Sequence, residues 1–157
     1  MVAAPELQRV PVSVATRRAV AADAEALADL STQLGYPTTV AAARRRLARI
    51  VGEQGHALLV AESASADVIG WVHVFVALRL ESDSFAELGG LVVAPESRGR
   101  GAGRLLVDAA ARWSSEQGLR TLRVRSNVVR HEANAFYSHL GFDQTKSQTV
   151  FARRLDG

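Results

Sequence analysis

The chain has 157 residues, of which 48% are hydrophobic and 22% are charged, as expected of one globular domain with a buried core. This composition excludes a disordered, collagen-like or coiled-coil protein, and no apolar run approaches the roughly 18 residues that cross a bilayer. Because cysteine is absent, disulfides, thiolate metal sites and a cysteine nucleophile are excluded. The formal net charge is only +3, and all the basic residues except Lys146 are arginines.

The ends and the continuity of the chain bear on its location and domain count. Residues 1–10 include Glu6 and lack the apolar core of a secretory signal, so we expect a cytoplasmic protein with no membrane partner. No internal repeat, low-complexity segment or linker interrupts the sequence. We therefore predict one domain over residues 1–157, with a loosely ordered tail over about residues 1–10.

The spacing of apolar residues predicts strands and helices in chain order. The predicted strands cover residues 11–17, 57–61, 68–78, 87–93, 119–126, 142–146 and 149–154, and the predicted helices cover residues 22–34, 39–51, 101–117 and 132–140. Thr38 or Thr39 caps the second helix, and Gly35, Gly118 and Gly141 end the other three. Strand–helix–strand units mixed with hairpins indicate an α/β (α+β) fold with parallel and antiparallel strand pairs.

A glycine- and arginine-rich turn, Arg98–Arg104, joins a predicted buried strand to a predicted helix. Glycines let a ligand approach the backbone, and the free N–H groups of a helix N-terminus attract anions, so this turn predicts a phosphate or pyrophosphate cradle. A P-loop is excluded because this segment contains no lysine. The segment does not match a dinucleotide-binding fingerprint either, because Arg104 occupies the position of the third glycine. The alternative is a plain glycine-rich turn with its arginines in solvent.

Two motifs follow one another along the chain. Arg98–Gly103 has the pattern [Gln/Arg]-x-x-Gly-x-[Gly/Ala] and comes after Leu91-Val92-Val93-x-Pro, and Glu132–Phe142 contains A-x-x-F-Y-x-x-x-G-F. With these motifs and its predicted element order, nearly the whole chain resembles the GNAT superfamily of acetyl-CoA-dependent N-acetyltransferases. The resemblance implies a mixed, V-shaped sheet of six to seven strands flanked by about four helices. It also implies that the chain can form a homodimer.

The resemblance further implies acetyl-CoA as co-substrate and no metal. The pyrophosphate is expected on the glycine loop and the pantetheine along the strand main chain, with a strand N–H polarising the acetyl carbonyl. Asn127 and Asn134 are expected to contact the pantetheine or the loop, although the insert 128–131 lengthens the connection after Asn127. The implied cofactor-binding residues are Leu91, Val92, Val93, Arg98, Gly99, Arg100, Gly101, Ala102, Gly103, Arg104, Asn127, Asn134 and Tyr137.

Two residues are the candidates for proton transfer. Tyr137 matches the family tyrosine that protonates the departing CoA thiolate; the alternative is an aromatic residue of the core. Glu87, at the start of a predicted strand, resembles a general base of the family. The alternative is a solvated carboxylate at this position, with a water chain as the base. His73 alternates with two aromatic residues and is interpreted as a structural histidine, while His131 and His139 are interpreted as surface residues.

The charge pattern bears on the acceptor. Glu81, Asp83, Glu87 and Glu96 lie in a stretch without lysine or arginine, which would attract a cationic amine, and Tyr36 lies where the family often forms its acceptor wall. Downstream, eight arginines between positions 98 and 130 stand against two acidic residues, which suits a phosphate-rich cofactor. The predicted substrate-binding residues are Tyr36, Glu81, Asp83 and Glu87.

These observations predict transfer of acetyl from acetyl-CoA to a primary amine by direct attack in a ternary complex, with a small cationic acceptor. The alternatives are acetylation of a protein N-terminus or lysine, or a non-catalytic acyl-CoA-binding module. An arginine-rich nucleic-acid binder is not expected, because aromatic residues are not interleaved with the arginines at positions 44–46 and 120–125.

Overall fold

The computed structural model describes residues 13–156, so the predicted tail over about residues 1–10 lies outside the described residues. The chain divides after Val124 into two compact units. The first contains strands β1 (Val14–Arg18), β2 (His56–Ser63), β3 (Val68–Ala77), β4 (Phe85–Val93) and β5 (Leu122–Val124), and helices α1 (Ala24–Gln33), α2 (Val40–Gly52) and α3 (Ala102–Glu116). The second contains α4 (His131–His139). Within residues 13–156, no helix is long and apolar enough to span a bilayer.

The first unit is built on one sheet with the strand order β1-β2-β3-β4-β5. Each of the first three strands pairs antiparallel with the strand that follows it in the chain. β5 comes after the α3 crossover and pairs parallel with β4. The predicted mixed α/β sheet and the prediction of about four helices are therefore confirmed.

The prediction of six to seven strands is wrong, because the sheet has five strands among residues 13–156. The hairpin predicted over residues 142–146 and 149–154, in the second unit, has no strand structure. Residues 143–149 are all polar, and Val150 and Phe151 are 82% and 90% exposed. A strand gains stability when one face of alternating side chains is buried, and this stretch buries none of its side chains from Asp143 to Asp156.

Helices cover both faces of the sheet in the first unit. On one face, Leu27 of α1 and Leu47 of α2 pack with Leu58 and Val60 of β2 in a buried cluster. On the other face, Leu106 of α3 is fully buried, and its Cδ1 would lie 3.1 Å from a Cβ added at Gly70 of β3. Burial of each such aliphatic side chain contributes roughly 1.5–3 kcal/mol, which fixes the sheet between the two helical layers.

The predicted helix boundaries have local causes. The Thr39 hydroxyl accepts a hydrogen bond of 3.1 Å from the Ala42 N–H and caps α2, which confirms one of the two predicted caps. Gly35 follows α1 with a φ of +90°, a left-handed conformation that favours glycine. The chain turns after Gly35, and the main-chain N–H of Tyr36 donates a hydrogen bond of 2.9 Å to the Ser31 carbonyl.

Candidate active site

The glycine loop follows β4 directly and leads into α3. After a 3-10 turn at Pro95–Ser97, Gly99 and Gly101 adopt φ values of +77° and +83°, and α3 begins at Ala102. A Cβ added at either glycine would have no neighbour within 4 Å, so the left-handed backbone, rather than crowding, requires glycine there. The Gly101 carbonyl accepts the first helical hydrogen bond, from Leu105 at 3.0 Å. The N–H groups of the first turn of α3 have no carbonyl partner in the helix.

Three arginines surround this loop. Arg98, Arg100 and Arg104 are exposed, and within residues 13–156 no ion pair joins them to an acidic side chain. The positive end of the α3 dipole lies at the same place. Free N–H groups, a helix dipole and unpaired guanidinium groups together form a favourable site for an anion such as a pyrophosphate.

β4 has one fully paired edge and one partly open edge. It pairs with β3 from Phe85 to Val93, whereas its pairing with β5 covers only residues 86–88. In the described chain, the stretch 89–93 therefore has no strand partner on the β5 side. The main-chain groups that point to this edge are suited to an extended ligand that binds as an additional strand.

A β-bulge marks the point where the open edge begins. Leu88 pairs with Val74 and Gly90 pairs with His73, which leaves Gly89 between them as the extra residue of β4. A Cβ at Gly89 would lie 2.9 Å from His73 Nδ1, and one at Gly90 would lie 2.8 Å from a ring carbon of Trp71. The two glycines therefore allow rings of β3 to lie directly against the β4 backbone.

Glu87 lies just before the bulge. It is paired in register with Phe75 of β3 and is 8% exposed, which makes it a buried carboxylate rather than a solvated one. The register also places Phe75 opposite His56 of β2. Side chains of directly paired residues share one face of a sheet, so His56, Phe75 and Glu87 form a row across three strands.

His56 and His73 form a hydrogen-bonded pair beside this row, here called the histidine pair. Their Nδ1 and Nε2 atoms, respectively, are 3.0 Å apart, and the two rings stack with centroids 5.3 Å apart. The Phe75 ring stacks on His56 at 5.4 Å and contacts His73 at 5.5 Å. Burial, and secondarily the neighbouring His56, lower the pKa of His73 from its ordinary 6.5, so its imidazole is neutral at pH 7.

In the second unit, the two predicted asparagines are close to each other. The Asn134 amide of α4 donates to the carbonyls of Asn127 and Val128, each at 3.3 Å, and Asn127 Oδ1 accepts from the Val129 N–H at 3.1 Å. Both side chains therefore fix the loop before α4. Contact of either with the cofactor stays a prediction.

Tyr137 lies on α4 in the second unit. Its ring makes edge contacts with Phe136 at 5.2 Å and Phe142 at 5.6 Å and is half-buried. The ring is thus held by aromatic neighbours on both sides, whereas α4 contains no fully buried residue. The burial of Tyr137 is therefore intermediate between that of a core aromatic residue and that of an exposed acid, the two interpretations of the sequence.

The predicted acceptor-binding residues lie on exposed segments of the first unit. Tyr36, in the turn between α1 and α2, is 54% exposed. Glu81 and Asp83 lie in the exposed segment between β3 and β4, beside Leu80, whose side chain is fully exposed. Of the predicted substrate-binding residues, Glu87 is the one that is buried in the sheet.

Sequence reasoning missed the histidine pair and the bulge. His56 lies 17 positions before His73, and the strand register that joins them cannot be read from either segment alone. The bulge had a local signal, because two consecutive glycines inside a strand pattern indicate an irregularity. Within residues 13–156, no cluster of three or more histidine, aspartate or glutamate side chains could hold a metal ion.

Comparisons with known proteins agree with this geometry. The family model described as "Acetyltransferase (GNAT) domain" matches residues 54–144, which include the histidine pair, β4, the glycine loop and α4. An aminoglycoside N(6')-acetyltransferase type 1 of Stenotrophomonas maltophilia is 30% identical over 146 residues, which cover 89% of this chain and 93% of that protein.

Solved structures share the fold. Aminoglycoside N-acetyltransferase AAC(6')-Iy in complex with CoA has a TM-score of 0.83 and 20% identity, over 95% of this chain and 100% of that one. AAC(6')-Iy in complex with the bisubstrate analogue CoA-S-monomethyl-acetylneamine has a TM-score of 0.80 and 22% identity, over 91% and 99%. The family match and the curated relative are decisive: this chain belongs to the GNAT superfamily and is an acetyltransferase that uses acetyl-CoA as co-substrate.

Proposed function

We propose that this chain transfers the acetyl group of acetyl-CoA to a primary amine of a small cationic molecule, by direct attack in a ternary complex. The observation that carries the proposal is the continuous stretch 87–104, in which a buried carboxylate, a bulge, an open strand edge and the anion-binding glycine loop follow one another. The relative that is 30% identical is named as an aminoglycoside N(6')-acetyltransferase, and aminoglycosides are small molecules with several amines.

The co-substrate has two complementary surfaces in the first unit. Main-chain N–H groups of the loop, from Gly99, Gly101, Ala102 and Gly103, would receive the pyrophosphate with the charges of Arg98, Arg100 and Arg104. The pantetheine amides would pair with the open edge at Leu91, Val92 and Val93. An N–H near the bulge would then donate to the acetyl oxygen as negative charge develops on it.

Two side chains are assigned to proton transfer. Glu87, buried beside the bulge, would receive the ammonium group of the acceptor and take its proton. The Tyr137 hydroxyl would protonate the departing CoA sulfur, because the phenol ring is held between Phe136 and Phe142 and keeps its orientation. Asn127 and Asn134 would support the same region by fixing the loop before α4.

The acceptor preference is assigned to charge. Glu81 and Asp83 lie exposed just before β4, and Tyr36 is exposed in the α1–α2 turn. Exposed carboxylates raise the local concentration of a polycation and accelerate its encounter with the protein, with an effect that salt screens. A polyamine or an aminoglycoside should therefore be preferred over a neutral amine or an amino acid.

The test is release of free thiol from acetyl-CoA with a panel of acceptors: neamine, spermidine, amino acids, and peptides with a free N-terminus or lysine. We expect the highest kcat/KM with the polycationic acceptors, and a decrease as the ionic strength rises. Tyr137→Phe should lower kcat by about 10²-fold without weakening acetyl-CoA binding, because it removes the hydroxyl and keeps the ring. His139→Gln, an exposed change on the same helix, is the matched control.

Different outcomes would redirect the proposal. Turnover restricted to peptide N-termini or lysines would replace the small acceptor with a protein. Tight binding of acetyl-CoA without turnover of any acceptor would favour an acyl-CoA-binding module. An unchanged kcat in Tyr137→Phe would show that the Tyr137 hydroxyl does not protonate the CoA sulfur.

A further inference from the structure

The proposed function leaves the histidine pair unused, although the pair lies on the same face of the sheet as Glu87 and contacts the bulge. His73 pairs in register with Gly90, and its Nδ1 lies against Gly89, the extra residue of β4. His56 belongs to the same row across the sheet as Phe75 and Glu87. Two titratable rings therefore lie on the face of the sheet where the amine would meet the buried carboxylate.

The hydrogen bond between the rings restricts their protonation. One of the two facing nitrogens, His56 Nδ1 and His73 Nε2, must carry a proton, and the other must accept it. Within residues 13–156, neither imidazole has another side-chain hydrogen bond, which leaves His73 Nδ1 and His56 Nε2 for exchange with water or substrate. Both residues are partly exposed, so water reaches the pair.

The surroundings favour an imidazole of His73 that is neutral at rest. The pKa of His73 is lowered by burial and by His56, and two positive rings in contact would repel each other. Glu87 is the titratable side chain that β4 brings to the row. β5 brings the guanidinium of Arg123, which pairs in register with Glu87 and lies 3.8 Å from the centroid of the Phe85 ring. On the other elements packed against this face, Arg17 of β1 is engaged by Asp23 and Glu62. The charged residues of α1 and α2 are all exposed: Glu25, Asp29, Arg44, Arg45, Arg46 and Arg49.

We propose that the histidine pair is the proton acceptor that carries the proton of the acceptor ammonium from Glu87 to solvent. The inference rests on the amine acceptor of the proposed function. At rest His73 Nε2–H donates to His56 Nδ1. A proton that arrives at His73 Nδ1 allows the Nε2 proton to pass to His56 Nδ1, and the proton on His56 Nε2 then leaves to water.

The protons and bonds balance over the reaction. The ammonium nitrogen loses two protons as the N–C bond forms and the C–S bond breaks. One proton leaves through Glu87 and the histidine pair before attack, and the Tyr137 hydroxyl gives one to the thiolate. The second nitrogen proton restores Tyr137, and exchange of the ring protons with water restores the original tautomers. No oxidant or further reactant is needed.

The test is the pH dependence of kcat and kcat/KM in the wild type, His73→Gln and His56→Gln, with the exposed His131→Gln as matched control. In the wild type, kcat/KM should fall as the pH drops through the lowered pKa of His73. His73→Gln should lower kcat by about 10²-fold and abolish this acidic limb, with KM for acetyl-CoA unchanged. His56→Gln should shift the limb to higher pH, because the repulsion between the rings is removed.

A structural role alone would lower activity equally at all pH values and leave the limb in place. The proposal is overturned if His73→Gln keeps the limb, or if its kcat stays within about threefold of the wild type. The same measurement works with any amine that is turned over, so a wrong acceptor class fails in the panel while the limb still decides the role of the pair.

Nuclear magnetic resonance provides a readout that needs no turnover. Long-range ¹H–¹⁵N correlations of the imidazoles should show a neutral His73 at pH 7 with its proton on Nε2, and the pKa of His73 should lie below its ordinary 6.5. A titration of His73 at the ordinary histidine value would overturn the proposal even if no acceptor were found.

Discussion

Strand β2 carries two polar clusters, one at each end, and the clusters differ in the types of ionisable group that they join. Near its end, Glu62 accepts a 2.7 Å hydrogen bond from Arg17, whose guanidinium also holds both oxygens of Asp23 at 2.8 and 2.9 Å. At its start, His56 contacts His73 at 3.0 Å. The first set, here called the arginine cluster, joins opposite charges. The histidine pair joins two groups of the same type.

The pKa directions in the two clusters follow from this difference. The hydrogen bonds from Arg17 hold the pKa of Asp23 below its ordinary 3.8, and the carboxylates raise the pKa of Arg17, so Arg17 and Asp23 stay ionised throughout the neutral range. In the histidine pair, burial and, secondarily, the His56 ring lower the pKa of His73 and favour its neutral form. A fixed set of charges stabilises the fold, whereas the imidazole of His73, which is neutral at pH 7, can accept a proton during a reaction.

Arg17→Met should produce the largest loss of stability, because it leaves the buried Asp23 carboxylate without its guanidinium partner. Hydrogen bonds to charged groups contribute about 1.5–3 kcal/mol, and the partial exposure of Arg17 lets water replace part of this. We expect a loss of about 2 kcal/mol in the free energy of unfolding, measured by urea denaturation. The turnover of the folded variant should equal that of the wild type.

Arg18→Met is the control for that experiment, since it removes a neighbouring exposed guanidinium that no ion pair engages within residues 13–156. Its effect should stay within about 0.5 kcal/mol. If both variants lost equal stability, the effect would reflect net charge rather than the bonds to Asp23. If Arg17→Met lost activity at full folding, the two clusters would not be functionally distinct.

Gly89→Ala should cause the second largest loss of stability, because it displaces the histidine pair. The added Cβ would lie 2.9 Å from His73 Nδ1 and 3.2 Å from Phe75 Cε1, so the rings must shift, and the His56 bond opposes the shift. Overpacking of this kind costs about 1–3 kcal/mol. We expect a loss of about 1–2 kcal/mol, together with displaced His73 resonances and a lower kcat.

Gly52→Ala is the matched control, because it adds the same methyl group at the last residue of α2, where nothing lies within 4 Å. It should be neutral or stabilising by up to about 1 kcal/mol, as expected of alanine in a helix. A Gly89→Ala variant that behaved like Gly52→Ala would show that the rings do not depend on the bare backbone of the bulge.

The parts of the fold and site that the sequence predicted have local causes. The glycine loop could be read from spacing alone, since a left-handed backbone at Gly99 and Gly101 and the start of α3 at Ala102 depend on adjacent residues. The cap at Thr39 is likewise a contact between near neighbours, three positions apart. The sequence left Glu87 open between a general base and a solvated carboxylate, because its burial depends on strands that pack from other parts of the chain.

What could not be predicted is the register between distant strands. The contacts of His56 with His73, and of Arg17 with Glu62 across 45 positions, exist only because β1, β2 and β3 pair as they do. The prediction of the terminal hairpin was wrong for the opposite reason. Residues 142–154 contain one short apolar run, residues 150–152, and have no partner strand among residues 13–156. A local pattern predicts an element well only when the element also has something to bury its face against.

The smallest predicted effect concerns the pH dependence of stability and separates the clusters most directly. The folded-state pKa of His73 lies below its unfolded value of about 6.5, so the unfolded chain binds a proton more readily. The wild type should therefore lose stability as the pH falls from 7 through 6.5 towards the lowered pKa, and His73→Gln should flatten this dependence. The corresponding loss from Asp23 should begin only below pH 3.8, because its pKa is also lowered. Urea denaturation of both proteins between pH 7.5 and 4.5 measures the difference. Equal slopes would mean that the imidazole of His73 titrates like that of an unfolded chain, and the lowered pKa assigned to His73 would be wrong.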